Sequence, residues 1–213
     1  MSSEEILNEV ATEVSVCEKC RLCKGRTRAV PGEGSLQAKL LFIGEGPGYN
    51  EDQQGRPFVG PAGRVLEEAL ASIGLKRSDV FITNVVKCRP PENRDPQSDE
   101  IAACSDYLDR QIEALNPQVI VTLGRYSMAK FFTKGEKISS IHGRAKRGRT
   151  RVYIAMYHPA AALRSPKTME DFRSDFKKIP LIIAEAERLA AAGNLPLPAQ
   201  KPQQEPPEQL SLF

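Results

Sequence analysis

Cys17-Glu18-Lys19-Cys20 places two thiols at the C-x-x-C spacing that serves zinc, an iron-sulphur cluster or a redox disulphide equally well. Cys88 and Cys104 lie far along the chain, and by ligand count the set Cys17, Cys20, Cys88 and Cys104 fits structural zinc or a 4Fe-4S cluster. Cys23, three positions beyond Cys20, is left over as a free thiol or a substitute ligand. Gly44-Glu45-Gly46-Pro47-Gly48 resembles a phosphate-binding loop in composition only. Pro47 removes a backbone donor, and no G-K-S/T or G-x-G-x-x-G pattern is present, which argues against nucleotide hydrolysis. Thr83-Asn84-Val85-Val86-Lys87-Cys88-Arg89-Pro90-Pro91 offers a carboxamide able to read a base edge, and His158-Pro159-Ala160-Ala161-Ala162-Leu163-Arg164 offers a histidine at a strand end.

These segments need a scaffold. The apolar runs Lys39–Gly44, Val80–Val86, Val119–Leu123 and Arg151–Tyr157 predict four strands, each bounded by turn residues or a change of pattern. Helical spacing predicts helices over Ser3–Val14, Ala62–Ile73, Gln97–Leu115, Tyr126–Phe132 and Met169–Ala192, with a long loop after the first strand. Alternation of this kind implies an α/β three-layer sandwich with a central, mostly parallel four-stranded sheet and helices on both faces. Ligands in such sheets bind beyond the carboxyl ends of the strands. The chemistry-bearing segments follow strands one, two and four, where that rule puts a site.

The chain has 213 residues, 40% of them hydrophobic, enough for one core, and a net charge of +3 that permits nucleic-acid binding without requiring it. Met1–Val16 is too polar for a secretory signal, and no apolar run approaches the roughly 20 residues that cross a bilayer, so a cytoplasmic monomer without membrane contact is expected. The odd number of cysteines argues against a disulphide framework there. Residues 1–192 read as one catalytic domain; from Gly193 onward proline, glutamine and glutamate dominate, and residues 193–213 read as a disordered tail.

Together the motifs, over about Val16 to Ala190, resemble family 4, the iron-sulphur uracil-DNA glycosylases. The resemblance implies a monofunctional base-excision repair hydrolase that releases uracil from DNA and leaves an abasic site. It selects a 4Fe-4S cluster on Cys17, Cys20, Cys88 and Cys104, in a structural role, with Lys19, Arg21, Lys24, Arg26 and Arg28 near DNA. It makes Gly44, Glu45 and Gly46 one wall of the base pocket, Asn84 the base-reading amide and Phe58 the ring that stacks on uracil. Glu51 becomes the group that excludes the thymine methyl, with Tyr49 a weaker candidate, and His158 the donor to uracil O2. In family 1 an aspartate stands where this chain has Gly46, so Glu45 is the candidate for positioning water. Leu163 matches the wedge that enters the duplex and Arg164 a phosphate contact, while Arg144, Lys146, Arg147, Arg149 and Arg151 form a basic run suited to phosphates. His142 reads as a surface turn residue, and Ala160 replaces a serine common after His-Pro. The ending Gln209-Leu210-Ser211-Leu212-Phe213 resembles a bacterial sliding-clamp-binding peptide. The alternative from another class is a noncatalytic iron-sulphur DNA-binding or polymerase-associated module.

Overall fold

The computed structural model describes residues 2–192 and the backbone of 208–209. In chain order its main elements are α1 (Ser3–Val16), β1 (Glu33–Gly34), β2 (Leu40–Gly44), α2 (Tyr49–Gln54), α3 (Pro61–Ser72), β3 (Phe81–Asn84), α4 (Ser98–Leu115), β4 (Val119–Leu123), α5 (Arg125–Met128), α6 (Ile138–Ile141), β5 (Ala145–Arg147), β6 (Val152–Met156), α7 (Pro159–Ala162), α8 (Pro166–Phe176), α9 (Ile179–Ala191) and β7 (Glu208–Gln209). The strands form one sheet in the order β1-β3-β2-β4-β6-β5-β7. Its centre, β3-β2-β4-β6, is parallel throughout, as the four apolar runs predict, and these four strands are buried almost without interruption. Antiparallel β1 and the β5 hairpin strand extend the sheet at its edges, with β7 pairing to β5 through Arg147↔Glu208 and Lys146↔Gln209.

Alternate residues of each strand feed two separate cores, as the period of two in a pleated strand requires. Leu40, Phe42, Ile82, Val121 and Ile154 pack under α3, α8 and α9, where Phe42 stacks on Phe176 at 5.6 Å between ring centres. Leu41, Ile43, Phe81 and Ile120 face the opposite way, onto Val10 and Val14 of α1 and Tyr107, Leu108 and Ile112 of α4. Ser2 and Glu5 form a reciprocal cap at the start of α1, and Asn116 ends α4 in the left-handed conformation.

Two expectations need correction. The single terminal helix over Met169–Ala192 is broken into α8 and α9, because Pro180 has no N–H to give the carbonyl of Phe176 and its ring crowds that group. The long loop after β2 contains α2, whose length of only 6 residues is too short to show a helical period. No helix among the described residues is long and apolar enough to cross a membrane. Leu210, Leu212 and Phe213 of the tail peptide lie outside the described residues, and Gln209 is described only by its backbone pairing.

Candidate active site

The parallel register sets Gly44, the last residue of β2, beside Asn84, the last residue of β3. A Cβ on Gly44 would stand 2.3 Å from Asn84 Oδ1 and 2.6 Å from Phe58 Cζ, so only glycine lets the amide and the ring meet there. Asn84 is 1% exposed and its Oδ1 is buried with no hydrogen-bond partner. An orphaned buried acceptor costs on the order of 1–3 kcal/mol, which a ligand donor would recover. Phe58 is also buried, and its ring lies 5.5 Å from that of His158, with 27° between their planes.

Phe58 adopts φ 52°, a left-handed conformation unfavourable for an aromatic residue. Three groups keep it there. Arg77 Nη1 donates to the Phe58 carbonyl at 2.9 Å and Nη2 to that of Pro57 at 2.5 Å, while Glu33 accepts from the same guanidinium. Gly63 allows α3 to approach closely, since a Cβ there would fall 1.9 Å from the Phe58 oxygen. Glu51, from α2, accepts the N–H groups of Val59 and Gly60 through Oε1, both at 2.8 Å, and that of Gly48 through Oε2 at 3.1 Å. Both oxygens of Glu51 thus brace the loops on either side of the ring. Tyr49 is exposed, with the Arg89 guanidinium 5.2 Å from its ring centre.

His158 follows β6 and caps α7. Its Nδ1 accepts the N–H of Ala160 at 3.1 Å, which leaves Nε2 as the protonated, donating nitrogen. Burial first, and the Arg164 charge second, push its pKa down to about 4, so the ring is neutral at physiological pH. Glu45 accepts the Tyr126 N–H at 3.1 Å, at the start of α5, and its pKa is raised mainly by burial. Gly46 faces Val86 and Pro90.

Four of the cysteines belong to the core on the opposite side of the sheet. Buried Cys88 and Cys104 lie in the core beneath α1 and α4, and half-buried Cys17 and Cys20 pack against it. Among the described residues no three His, Cys, Asp or Glu side chains are grouped as for a metal ion, so the fit rests on the donor set. Burial pushes the Cys88 thiol up to about 11 and raises Cys20 and Cys104 as well, so deprotonated sulphurs here need a compensating cation. Donors already reach the sulphurs: the Lys19 N–H approaches Cys17 Sγ at 3.5 Å, and Arg26 Nη1 approaches Cys88 Sγ at 3.5 Å. Four soft ligands on one apolar face, with N–H groups directed at sulphur, suit a thiolate-bound centre. Cys23 is half-buried, and its N–H donates to the Cys20 carbonyl.

Several basic residues occupy other places than the sequence suggests. Arg26 turns inward, donating to the carbonyls of Cys17 at 2.5 Å and Ser15 at 3.0 Å, and Arg21 pairs with Asp99. Lys146 and Arg151 are buried; Lys146 pairs with Glu136 and lies over the Phe132 ring. In the basic run Arg144 and Arg149 are exposed and Arg147 is half-buried. Leu163 is 50% exposed beyond α7, unusual for a leucine, and Arg164 beside it is exposed. His142 lies in the turn after α6 as expected, but its half-buried ring is engaged: its Nδ1 lies 2.7 Å from buried Asp175 and its ring 4.6 Å from that of Tyr157.

Sequence reasoning missed Arg77 and Lys87. Lys87 is 1% exposed, and desolvation lowers its pKa to about 7. A lysine following two valines at the end of an apolar strand was its only sign. Nothing near Arg77 distinguishes it from a solvated surface arginine.

The model of the uracil DNA glycosylase superfamily matches residues 31–179, which span β1 through α8 and include every pocket residue. The chain is 52% identical over 184 residues to a type-4 uracil-DNA glycosylase of Sulfurisphaera tokodaii, covering 81% of this chain and 83% of that protein. It is 49% identical over 183 residues to a type-4 uracil-DNA glycosylase of Archaeoglobus fulgidus, covering 82% and 92% respectively. A third, from Saccharolobus solfataricus, is 50% identical over 182 residues, covering 81% and 84%. With strand ends, glycine approach and matched residues all coinciding, the chain belongs to the uracil-DNA glycosylase superfamily.

Proposed function

We propose that this protein hydrolyses the N-glycosidic bond of deoxyuridine in DNA, releasing uracil and leaving an abasic site. The observation that carries the reading is the buried, unpartnered Oδ1 of Asn84 against Gly44 and Phe58. Uracil presents an N3–H donor beside the O4 acceptor; cytosine presents an acceptor and a donor in those places. A carboxamide whose oxygen takes N3–H and whose nitrogen donates to O4 accepts the first and rejects the second. Phe58 supplies the stacking face, and Glu51 holds the loop that brings it there and stands as the group that excludes the thymine methyl.

Cleavage leaves positive charge on the sugar and negative charge on the base. His158, neutral with Nε2–H free to donate, stabilises the charge developing on uracil O2 without giving up its proton. Water adds to the sugar carbon as the carbon–nitrogen bond breaks, its proton passing to solvent or the departing base. Glu45, oriented by the Tyr126 N–H, positions that water. Leu163 fills the space vacated by the flipped nucleotide, and Arg164, Arg147 and Arg149 bind phosphate.

Cys17, Cys20, Cys88 and Cys104 would hold a 4Fe-4S cluster, whose contribution is to close the N-terminal segment onto the sheet. Iron and sulphide analysis with a visible spectrum tests this; stoichiometric zinc without visible absorbance rejects it. The tail from residue 193 carries the sliding-clamp peptide Gln209, Leu210, Leu212 and Phe213. Capture by the clamp that is equal with and without the residues after Glu208 removes that role. The protein acts as a cytoplasmic monomer.

The central test is single-turnover excision from oligonucleotides bearing one uracil, thymine, cytosine or hypoxanthine, with alkali revealing abasic sites, for wild type and Asn84→Ala. Uracil-selective product that Asn84→Ala loses supports the reading. No product from cluster-replete protein moves it to a noncatalytic DNA-binding module.

A further inference from the structure

Between the base-reading amide and Cys88 lies a cation that the excision chemistry does not use. The Lys87 side chain is sealed from solvent and in its charged form gives its three protons to three neutral oxygens: Thr83 Oγ1 at 2.6 Å, Gln111 Oε1 at 2.7 Å and the backbone carbonyl of Asn84 at 2.8 Å. Two of these acceptors are fixed in turn. Gln111 Nε2 donates to the Pro31 carbonyl at 2.7 Å, and Thr83 Oγ1 donates to the same oxygen at 2.9 Å. The Lys87 carbonyl accepts the Val30 N–H at 2.8 Å. Gln111 lies in the C-terminal half of α4, so the ammonium ties the end of β3, the approach to β1 and that helix into one polar knot within an apolar core.

Burying a lysine without a counter-ion is costly, and an apolar residue of similar length would fill the same volume more cheaply. No carboxylate is bonded to the ammonium, and Cys104, the main opposing charge near it, takes none of its three protons, so charge pairing does not explain where those protons point. Its engaged protons and 1% exposure also exclude a nucleophilic role on DNA. What the ammonium does contribute is direction. The carbonyl it holds belongs to Asn84 itself, and a carbonyl fixed in space fixes the peptide plane from which the side chain projects. The carboxamide has no partner for its own Oδ1, so its aim depends on that backbone.

We propose that Lys87 is the positioning residue for uracil recognition, holding the Asn84 backbone so that the carboxamide is aimed before the base arrives. The inference rests on the proposed excision of uracil and deepens it by naming what makes the amide selective. A carboxamide free to rotate loses discrimination, because its two ends present opposite polarity to the base edge.

A double-mutant cycle tests it. Lys87→Met, Asn84→Ala and the double variant are compared in single-turnover excision of uracil, with visible absorbance and thermal midpoint recorded, and with free-uracil binding measured by calorimetry. Lys87→Met is expected to slow excision on the order of tenfold to a hundredfold and to weaken free-uracil binding in parallel, while changing the rate less than about twofold when Asn84 is already alanine. An equal loss in both backgrounds, or unimpaired uracil binding in Lys87→Met, overturns the proposal. Should Lys87→Met fail to fold, Gln111→Met loosens the ammonium from α4 and is read in the same cycle: a smaller loss confined to the Asn84 background supports the assignment, and an additive one overturns it. Absence of excision by wild type is a separate result, which sinks the functional reading and this inference with it.

Discussion

Asn84 and Glu51 both serve the space around Phe58, one from the end of a central strand and the other from a short helix. The carboxylate of Glu51 is engaged by three backbone N–H groups, whereas the carboxamide oxygen of Asn84 is buried with none. Two acceptors beside the same ring thus have opposite assignments. A satisfied group shapes the pocket; an unsatisfied one is directed at whatever enters it. The same distinction divides His158, whose Nδ1 is spent on Ala160 while Nε2 stays available, from Arg26, whose protons go to backbone oxygens and Cys88.

The sharpest way to break this contrast is Asn84→Ala. With the two hydrogen bonds proposed to the base edge removed, single-turnover excision should fall on the order of 10²–10³-fold, while the thermal midpoint changes little because an orphaned acceptor leaves with the side chain. His158→Ala should cost about a hundredfold in the same assay. His158 also has a pH signature. Its native pKa lies near 4, below the ordinary 6.5, so between those values the unfolded chain takes up a proton that the folded chain refuses. Its neutral form therefore supports the fold fully above about pH 6.5, and stability falls as the pH drops toward 4, by at most about 1.4 kcal/mol per unit. Denaturant melts at stepped pH should show a shallower acid slope in His158→Asn.

Glu51→Gln probes the other side of the comparison. A neutral amide accepts more weakly and presents N–H to the donors crowding it, so a loss of about 1–3 kcal/mol is expected in denaturant melts, with excision falling as Phe58 loosens. Asn84→Ala should spare stability and Glu51→Gln should not; the reverse result would dissolve the distinction. Glu45→Gln keeps an oxygen for the Tyr126 N–H and removes only the charge, so roughly a tenfold slowing with unchanged DNA affinity is expected if that charge orders water. Unchanged single-turnover rates would leave Glu45 as a cap on α5. The smallest effect belongs to Arg149→Ala, which should lower the salt slope of DNA binding by about one without altering base preference.

Much of this arrangement was legible beforehand. The four parallel strands are apolar runs buried on both faces, and the rule that ligands lie beyond strand carboxyl ends placed Gly44, Asn84 and His158 together. The rest depends on partners distant in sequence. Neither the inward turn of Lys146 toward Glu136 nor that of Arg26 toward Cys17 can be told from a solvated basic residue by composition. The orphaned state of the Asn84 oxygen is visible only once every neighbour is placed. Helix α2 escaped notice for its brevity, and the break before α9 was signalled by Pro180 but overridden by the apolar period on both sides.

The strand order has a temporal consequence. β2, at the middle of the parallel sheet, pairs with β3 on one side and with β4 on the other, and β6, which delivers His158, joins the parallel strands through β4 and carries the β5 hairpin on its other edge. On a ribosome the amide and the ring therefore emerge well before the histidine, and contacts of such wide sequence separation form slowly. The ring of His158 reaches that of Phe58 only once β6 has docked on β4, so the pocket is completed from its C-terminal side.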